Sequence, residues 1–216
     1  MKRYAALVLA AIALTAAPAR AEPAPEVQAL AAKIIKDQFK TIINCERCNL
    51  AEANFDGQFL RLAALQGANL TGARLRGADI TGIHLNRAKL DGANFSGANM
   101  AGAVLTGATL RGADLSNTRL DAVRMSGADF TGANLSGANL RMLEYVKGTK
   151  FTNVNARNAI FRHAYLTRVD FTGADLSGAD FTRSKGLTNE QLARACGDDK
   201  TILPPGLTIP DCSRKK

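Results

Sequence analysis

The chain has no tryptophan, three tyrosines and two histidines among its 216 residues. With so few aromatics, and hardly any on outward positions, it lacks the stacking platforms that single-stranded nucleic acids use. Neither His84 nor His163 has a cysteine or second histidine at ligand spacing, so zinc sites and His-assisted nucleophiles find no support. The longest apolar run, Tyr4–Ala17, is about fourteen residues, short of the ~20 needed to span a bilayer. Acidic residues are outnumbered 19 to 28, giving a formal charge of +9.

What is present is a five-residue beat. A large apolar residue falls on every fifth position from Leu50 to Tyr145, and after a one-residue slip from Phe151 to Phe181. Period five suits neither an α-helix, whose apolar face recurs every 3–4 residues, nor a flat strand with period two. It suits a short extended segment followed by a corner that resets the phase. The residue two before each large centre then shares its face. Of 27 pentads, 18 have Ala there, which identifies a second inward position. Where Ala156 takes the centre, Val154 takes the small position and keeps the pair's volume. Fifteen of 19 glycines sit two after a centre, where a corner needs a permissive backbone. Those glycines are therefore corner residues and not phosphate cradles, and the recurrent Asp79, Asp114, Asp129, Asp170 and Asp175 belong to the repeat.

The runs Ala113-Asp114-Leu115, Ala133-Asn134-Leu135 and Ala138-Asn139-Leu140 resemble pentapeptide-repeat proteins. The resemblance covers residues 48–184 and implies an all-β solenoid, a right-handed quadrilateral β-helix with four pentads per coil. Gln58, Ile83, Thr118 and Leu143 depart from the small position, and Arg141–Lys150, where the register slips, is expected to bulge. Six to seven coils at about 4.8 Å make a rod of roughly 30 Å. Its interior, one Leu or Phe plus one Ala wide, leaves no room for a ligand cavity or buried active site. The slip is the irregularity where a partner is first to be sought.

The ends read differently. Lys2 and Arg3, the apolar run, and Ala19-Arg20-Ala21 form a secretory signal peptide over 1–21, cleaved after Ala21. Losing Lys2, Arg3 and Arg20 lowers the charge from +9 to +6. Residues 22–47 form a cap: an extended lead-in, then a helix over Glu26–Ile43 with Val27, Leu30, Ala31, Ile34, Ile35 and Phe39 on one face. Residues 185–216 hold a second capping helix and a disulfide-closed tail. Thr188 and Gln191 make a capping box, Leu187 and Leu192 a hydrophobic staple, and the helix is expected to end near Gly197.

Cys45, Cys48, Cys196 and Cys212 are an even set in an exported chain, which favours disulfides. The two pairs sit at opposite ends of the rod, so Cys45–Cys48 and Cys196–Cys212 are the pairings within reach. The second closes a loop and contributes roughly 3 kcal/mol in the chain-entropy model. Cys45-Glu46-Arg47-Cys48 admits a thiol redox reading, but it lies on the repeat beat and not at the start of a helix.

No catalytic, cofactor or metal site can be assembled. Arg119, Arg141 and Arg162 stack on one face as a candidate basic strip for an anionic envelope component or an acidic protein, but Asp121 and Asp180 interrupt it, which favours an ordinary mixed surface. The leading expectation is thus a non-enzymatic, exported (periplasmic or secreted) interaction or structural module, with no nucleic-acid partner and no transmembrane segment after cleavage. The resemblance also implies an alternative, the topoisomerase-protecting DNA mimic, which needs an acidic rod. The repeat region Leu50–Ser184 has 15 Lys and Arg against 11 Asp and Glu. A thiol redox protein using Cys45 and Cys48 is the third reading.

Overall fold

Each pentad ends in a β-turn. The centre's carbonyl accepts from the amide three residues on, as from Ala68 to Leu65 (3.1 Å) and from Ala108 to Leu105 (2.9 Å). Only the residue two after the centre has positive φ, which defines a type II turn. Glycine takes this place at no steric cost, but Leu62 (φ 58°) and Ala122 (φ 56°) occupy it too.

A computed structural model describes residues 22–38 and 42–214. The expected signal peptide over 1–21 and Phe39 of the expected helix lie outside the described residues. Parallel bridges join residues 20 apart, as in Asn49 to Asn69 to Lys89, so four pentads complete a coil. Each segment pairs through one residue, and the walls are ladders of isolated bridges instead of long strands. Face one carries the centres Cys45, Leu65, Leu85, Leu105, Met125, Val146 and Leu166; faces two, three and four begin at Leu50, Phe55 and Leu60. Seven coils result, ending at Phe181.

The centres and small positions pack into one continuous core. Near the C-terminal end Phe130, Phe151 and Phe171 stack along face two (5.1 and 5.6 Å between neighbouring centroids). Phe161 and Phe181 stack on the opposite face at 4.8 Å, and Phe151 meets Phe161 edge-on. Ala156 lies between Phe151 and Phe161 in sequence, where the rings already fill the interior. The inward Thr118 and Thr149 donate their hydroxyls to the carbonyls of Phe95 (2.9 Å) and Met125 (2.8 Å), so neither is buried without a partner.

Three sequence expectations need correction. Tyr145 is not a centre: it is 53% exposed, and Val146, 3% exposed, fills the core. The extra residue is Glu144, between inward Leu143 and outward Tyr145, so the slip comes earlier than the spacing suggested. The first helix, α1, spans Pro25–Asp37 and cannot reach Ile43, whose carbonyl accepts from Ala64 in the first coil (2.8 Å). The coil therefore begins before residue 48. At the far end α2 is only Asn189–Leu192, since Cys196 and Ile202 rejoin the ladder against Ala174 and Ala179 (2.9 Å each). The tail is partly an eighth coil.

Both helices lie against the rod's ends. Val27, Ala31 and Ile34 of α1 join the core, and Gln38 is bonded to the side chain of Gln58 and the amide of Phe59. Thr188 and Gln191 form the capping box of α2, while the Gln191 amide donates to the carbonyls of Leu166 (2.9 Å) and Val169 (2.8 Å).

Charge ties adjoining coils together. Arg111 meets Asp129 at 2.9 Å, Arg157 meets Asp175 at 2.7 Å, and Arg162 meets Asp180. Burial alone would raise these carboxyl pKa values. Hydrogen bonds from Thr131, Ser177 and Thr182, together with the arginines, outweigh it and hold all three below the ordinary range.

Four outcomes are expected. Ala122→Gly should stabilise by about 0.5–1 kcal/mol, because an L-residue at positive φ costs more than glycine's lost entropy. Gly102→Ala, at the same corner one coil earlier, should destabilise by a similar ~0.5–1 kcal/mol; equal melting curves for the pair would refute the corner assignment. Leu110→Asp puts an unpaired carboxylate at a fully buried position and should cost more than about 4 kcal/mol in denaturant titration. Because depressed carboxylates stabilise above their unfolded pKa, melting temperature should hold from neutral pH down to about 4 and fall as pH drops through the lower folded values. A Tm insensitive to acid would contradict the Asp–Arg ties.

Candidate functional site

The residue just before each centre points outward, and its identity separates the faces. Face three carries Asn54, Arg74, Asn94, Asp114, Asn134, Asn155 and Asp175 there, whereas face one carries Asn44, Ala64, His84, Val104, Arg124, Tyr145 and Tyr165. Asp and Asn at this place accept from the amide two residues on, as Asp114 does from Ser116 (3.0 Å) and Asn134 from Ser136 (3.2 Å). Face one has no Asp or Asn at this place beyond Asn44 and presents mainly aromatic and cationic side chains instead.

The extra residue Glu144 falls on this face. Elsewhere a centre's amide donates to the next coil and the corner amide does likewise: Phe151 to Asp170 (2.7 Å), Asn153 to Thr172 (2.7 Å), Phe161 to Asp180 (2.8 Å) and His163 to Thr182 (3.2 Å). The corresponding rungs on face one run from Val146 to Tyr165 and from Gly148 to Thr167. Among the described residues neither is made. One rung remains at the edge of the opening, from the Tyr165 amide to Leu143 (2.7 Å). A single bulged residue has split two coils on one face and left the other three closed.

The split is an open groove of about 630 Å³ lined by Glu144, Tyr145, Val146, Lys147, Tyr165, Thr167 and Arg168. Tyr145 and Tyr165 are 53% and 46% exposed. Arg124, one coil before, lies 4.8 Å from the Tyr145 ring centre, and Lys185, one coil after, has its ammonium 5.4 Å from that of Tyr165. Such cation–π contacts hold a ring in place at about 0.5–1 kcal/mol each. Among the described residues, no carboxylate lies within ion-pair distance of Arg124, Lys147, Arg168 or Lys185. On the other faces Arg61, Arg74, Arg76, Arg111, Arg157 and Arg162 meet aspartates, while Lys89, Arg141, Lys150 and Arg183 form no ion pair among the described residues.

Arg119, Arg141 and Arg162 do share face four, but Arg119 bonds Asp121 (3.2 Å) and Arg162 bonds Asp180. That leaves Arg141 as the strip's unpaired cation among the described residues. Cys45 and Cys48 are joined across the corner of the first coil (Cα–Cα 5.4 Å), and Cys196 and Cys212 across the last ladder (4.8 Å). Asp175, Cys196 and Cys212 gather within 4.8 Å, but oxidised sulfurs lack the thiolate a metal needs. His84 and His163 are exposed and nearly four coils apart. Among the described residues no helix is long and apolar enough to cross a membrane.

Sequence spacing missed the groove because it took Tyr145 for a core residue. The available signal was the missing Asp/Asn along face one, with Arg124, Tyr145, Tyr165 and Lys185 at steps of 21, 20 and 20.

The family profile described as Pentapeptide repeats (8 copies) matches residues 43–82, 83–121, 110–141 and 147–185, and skips the bulge. No curated protein matches the chain. Among solved structures, HetL of Nostoc sp. strain PCC 7120, a pentapeptide repeat protein involved in heterocyst differentiation regulation, is 24% identical. That likeness has TM-score 0.31 and covers 80% of this chain and 98% of HetL. Trypsin-treated QnrB1, a plasmid-mediated fluoroquinolone resistance protein, is 17% identical with TM-score 0.37, covering 78% of this chain and 88% of its own. The pentapeptide repeat protein AT2G44920 of the Arabidopsis thaliana thylakoid lumen is 32% identical with TM-score 0.23, covering 58% and 69%. With the family profile covering well over half of its length, and the five-residue coil built residue by residue in its structure, the chain belongs to the pentapeptide-repeat proteins.

Proposed function

We propose that the protein is an exported, non-enzymatic interaction or structural module of the cell envelope, a right-handed four-sided rod with a helix covering each end. The observation that carries this reading is the cysteine pattern: all four cysteines are consumed in two bridges, one at each end of the rod. Bridges of this kind persist in oxidising compartments, which agrees with the leader read over 1–21. A core filled by side chains, with every groove open to the outside, favours display of surface over chemistry on a bound substrate. The partner is then a protein or an anionic envelope component met by the basic surface.

Two other readings have less behind them. A topoisomerase-protecting DNA mimic needs a bare acidic ridge, but the chain is basic and Asp56, Asp129, Asp175 and Asp180 are each bonded to an arginine. QnrB1's resistance role is therefore not carried over. A thiol redox protein needs an exchangeable pair, whereas Cys45 is buried and its bridge staples a turn of the first coil.

Cell fractionation with mass mapping under non-reducing conditions tests the proposal. The expected product starts at Glu22, sits in the exported fraction and yields Cys45–Cys48 and Cys196–Cys212 peptides. A cytosolic product starting at Met1 with four reactive thiols would overturn it. Protection of gyrase from a fluoroquinolone would establish the DNA-mimic reading instead.

A further inference from the structure

We infer that the groove on face one, between Tyr145 and Tyr165, is a docking site for an acidic peptide segment in extended conformation; the inference rests on reading the protein as an interaction module. Three separate observations point to that occupant. The first is backbone chemistry. The amides of Val146 and Gly148 and the carbonyls of Tyr165 and Thr167 have no hydrogen-bond partner among the described residues, although their equivalents on the other three faces are paired at the same step. Donors two residues apart and acceptors two residues apart are what an extended chain offers in return, the logic of strand addition.

The second observation is the pair of half-exposed rings, each steadied by a cation from the neighbouring coil. Rigid aromatic walls grip an alternate side chain of an extended segment at little entropic cost. The third is charge. Arg124, Lys147, Arg168 and Lys185 surround or flank the opening, none in an ion pair among the described residues, with Glu144 the only acid lining it. A neutral glycan would use the rings and leave this excess of positive charge unmatched. An acidic peptide uses the backbone groups, the rings and the charge together.

The groove exists because of one residue, which gives a direct test. Deleting Glu144 restores the five-residue spacing from Leu140 to Phe151, keeping both tyrosines and all four cations while closing the split. The full-length exported protein is immobilised and panned with a random dodecapeptide display library, and recovered peptides are synthesised for anisotropy titration. Expected are peptides rich in Asp and Glu whose affinity drops about tenfold or more on the Glu144 deletion and on the pair Tyr145→Ala and Tyr165→Ala. Lys147→Glu with Arg168→Glu should do the same, and so should N-methylation of alternate peptide amides. Lys89→Ser, on face two, should leave affinity unchanged. Melting curves verify that each variant folds, and the deletion should melt no lower than wild type.

Panning that recovers no peptide dependent on Glu144 and the tyrosines would sink the proposal. So would equal binding to the deletion variant, enrichment of neutral or basic peptides, or competition by chitohexaose at peptide-like concentration, which would make the groove a glycan site. In-cell crosslinks from the exported protein that map away from face one would remove the groove and leave the interaction-module reading standing. A protein that is not exported fails that reading whatever the peptides do.

Discussion

The rungs between coils, amide to carbonyl across bridges that pair residues 20 apart, are the constraint on which the rest of this molecule depends. Each rung places a residue over its counterpart in the coil before, so every position in the pentad becomes a column along the rod. Centres stack on centres and small residues on small residues, and the interior fills without a layer of helices or a second sheet. The corner serves the same end, because a type II turn lets the chain change face while its amides still reach the next coil. A residue that suits the corner badly, such as Leu62 or Ala122, is held there by rungs on either side.

An insertion in such a ladder can be absorbed locally. Bridges that span Glu144 run at 21 residues, Asp129 to Lys150 and Asn134 to Asn155, and those beyond it return to 20, Lys150 to Asp170, so the coil continues in register. The cost is confined to face one, where two rungs open while those of faces two, three and four close normally. The groove between Tyr145 and Tyr165 therefore comes from a fault in the repeat. The rings and cations beside the fault occupy positions that face one had already freed of aspartate and asparagine.

Charge is arranged by the same stacking. An Asp before a centre caps its own turn and meets an arginine from the adjoining coil, so most charge on faces two to four is neutralised across rungs. Exposed pairs of this kind contribute little singly, roughly 0–1 kcal/mol. Their larger consequence is on potential: the unpaired cations of face one stand out against a surface whose other arginines are mostly matched.

How much of this was legible beforehand follows from periodicity. The beat of Leu, Phe and Ala, with glycine two after the centre, determined the coil, its inward residues and its corners, because a local pattern repeated this often admits one geometry. The cysteine pairing followed from rod length, and the capping box at Thr188 from a local motif. The basic strip was legible as Arg119, Arg141 and Arg162, and so was its interruption by Asp121 and Asp180; that these aspartates pair with Arg119 and Arg162 was not, since ion pairing depends on side-chain directions that spacing leaves free. Tyr145 was misplaced for a related reason. Leu140 to Phe151 holds one residue too many, and sequence alone does not say which of Tyr145 and Val146 turns inward. Only the packing of Val146 into the column of Met125 and Leu166, with Tyr145 outside beside Arg124, decided where the ladder opens and thus where a partner has room.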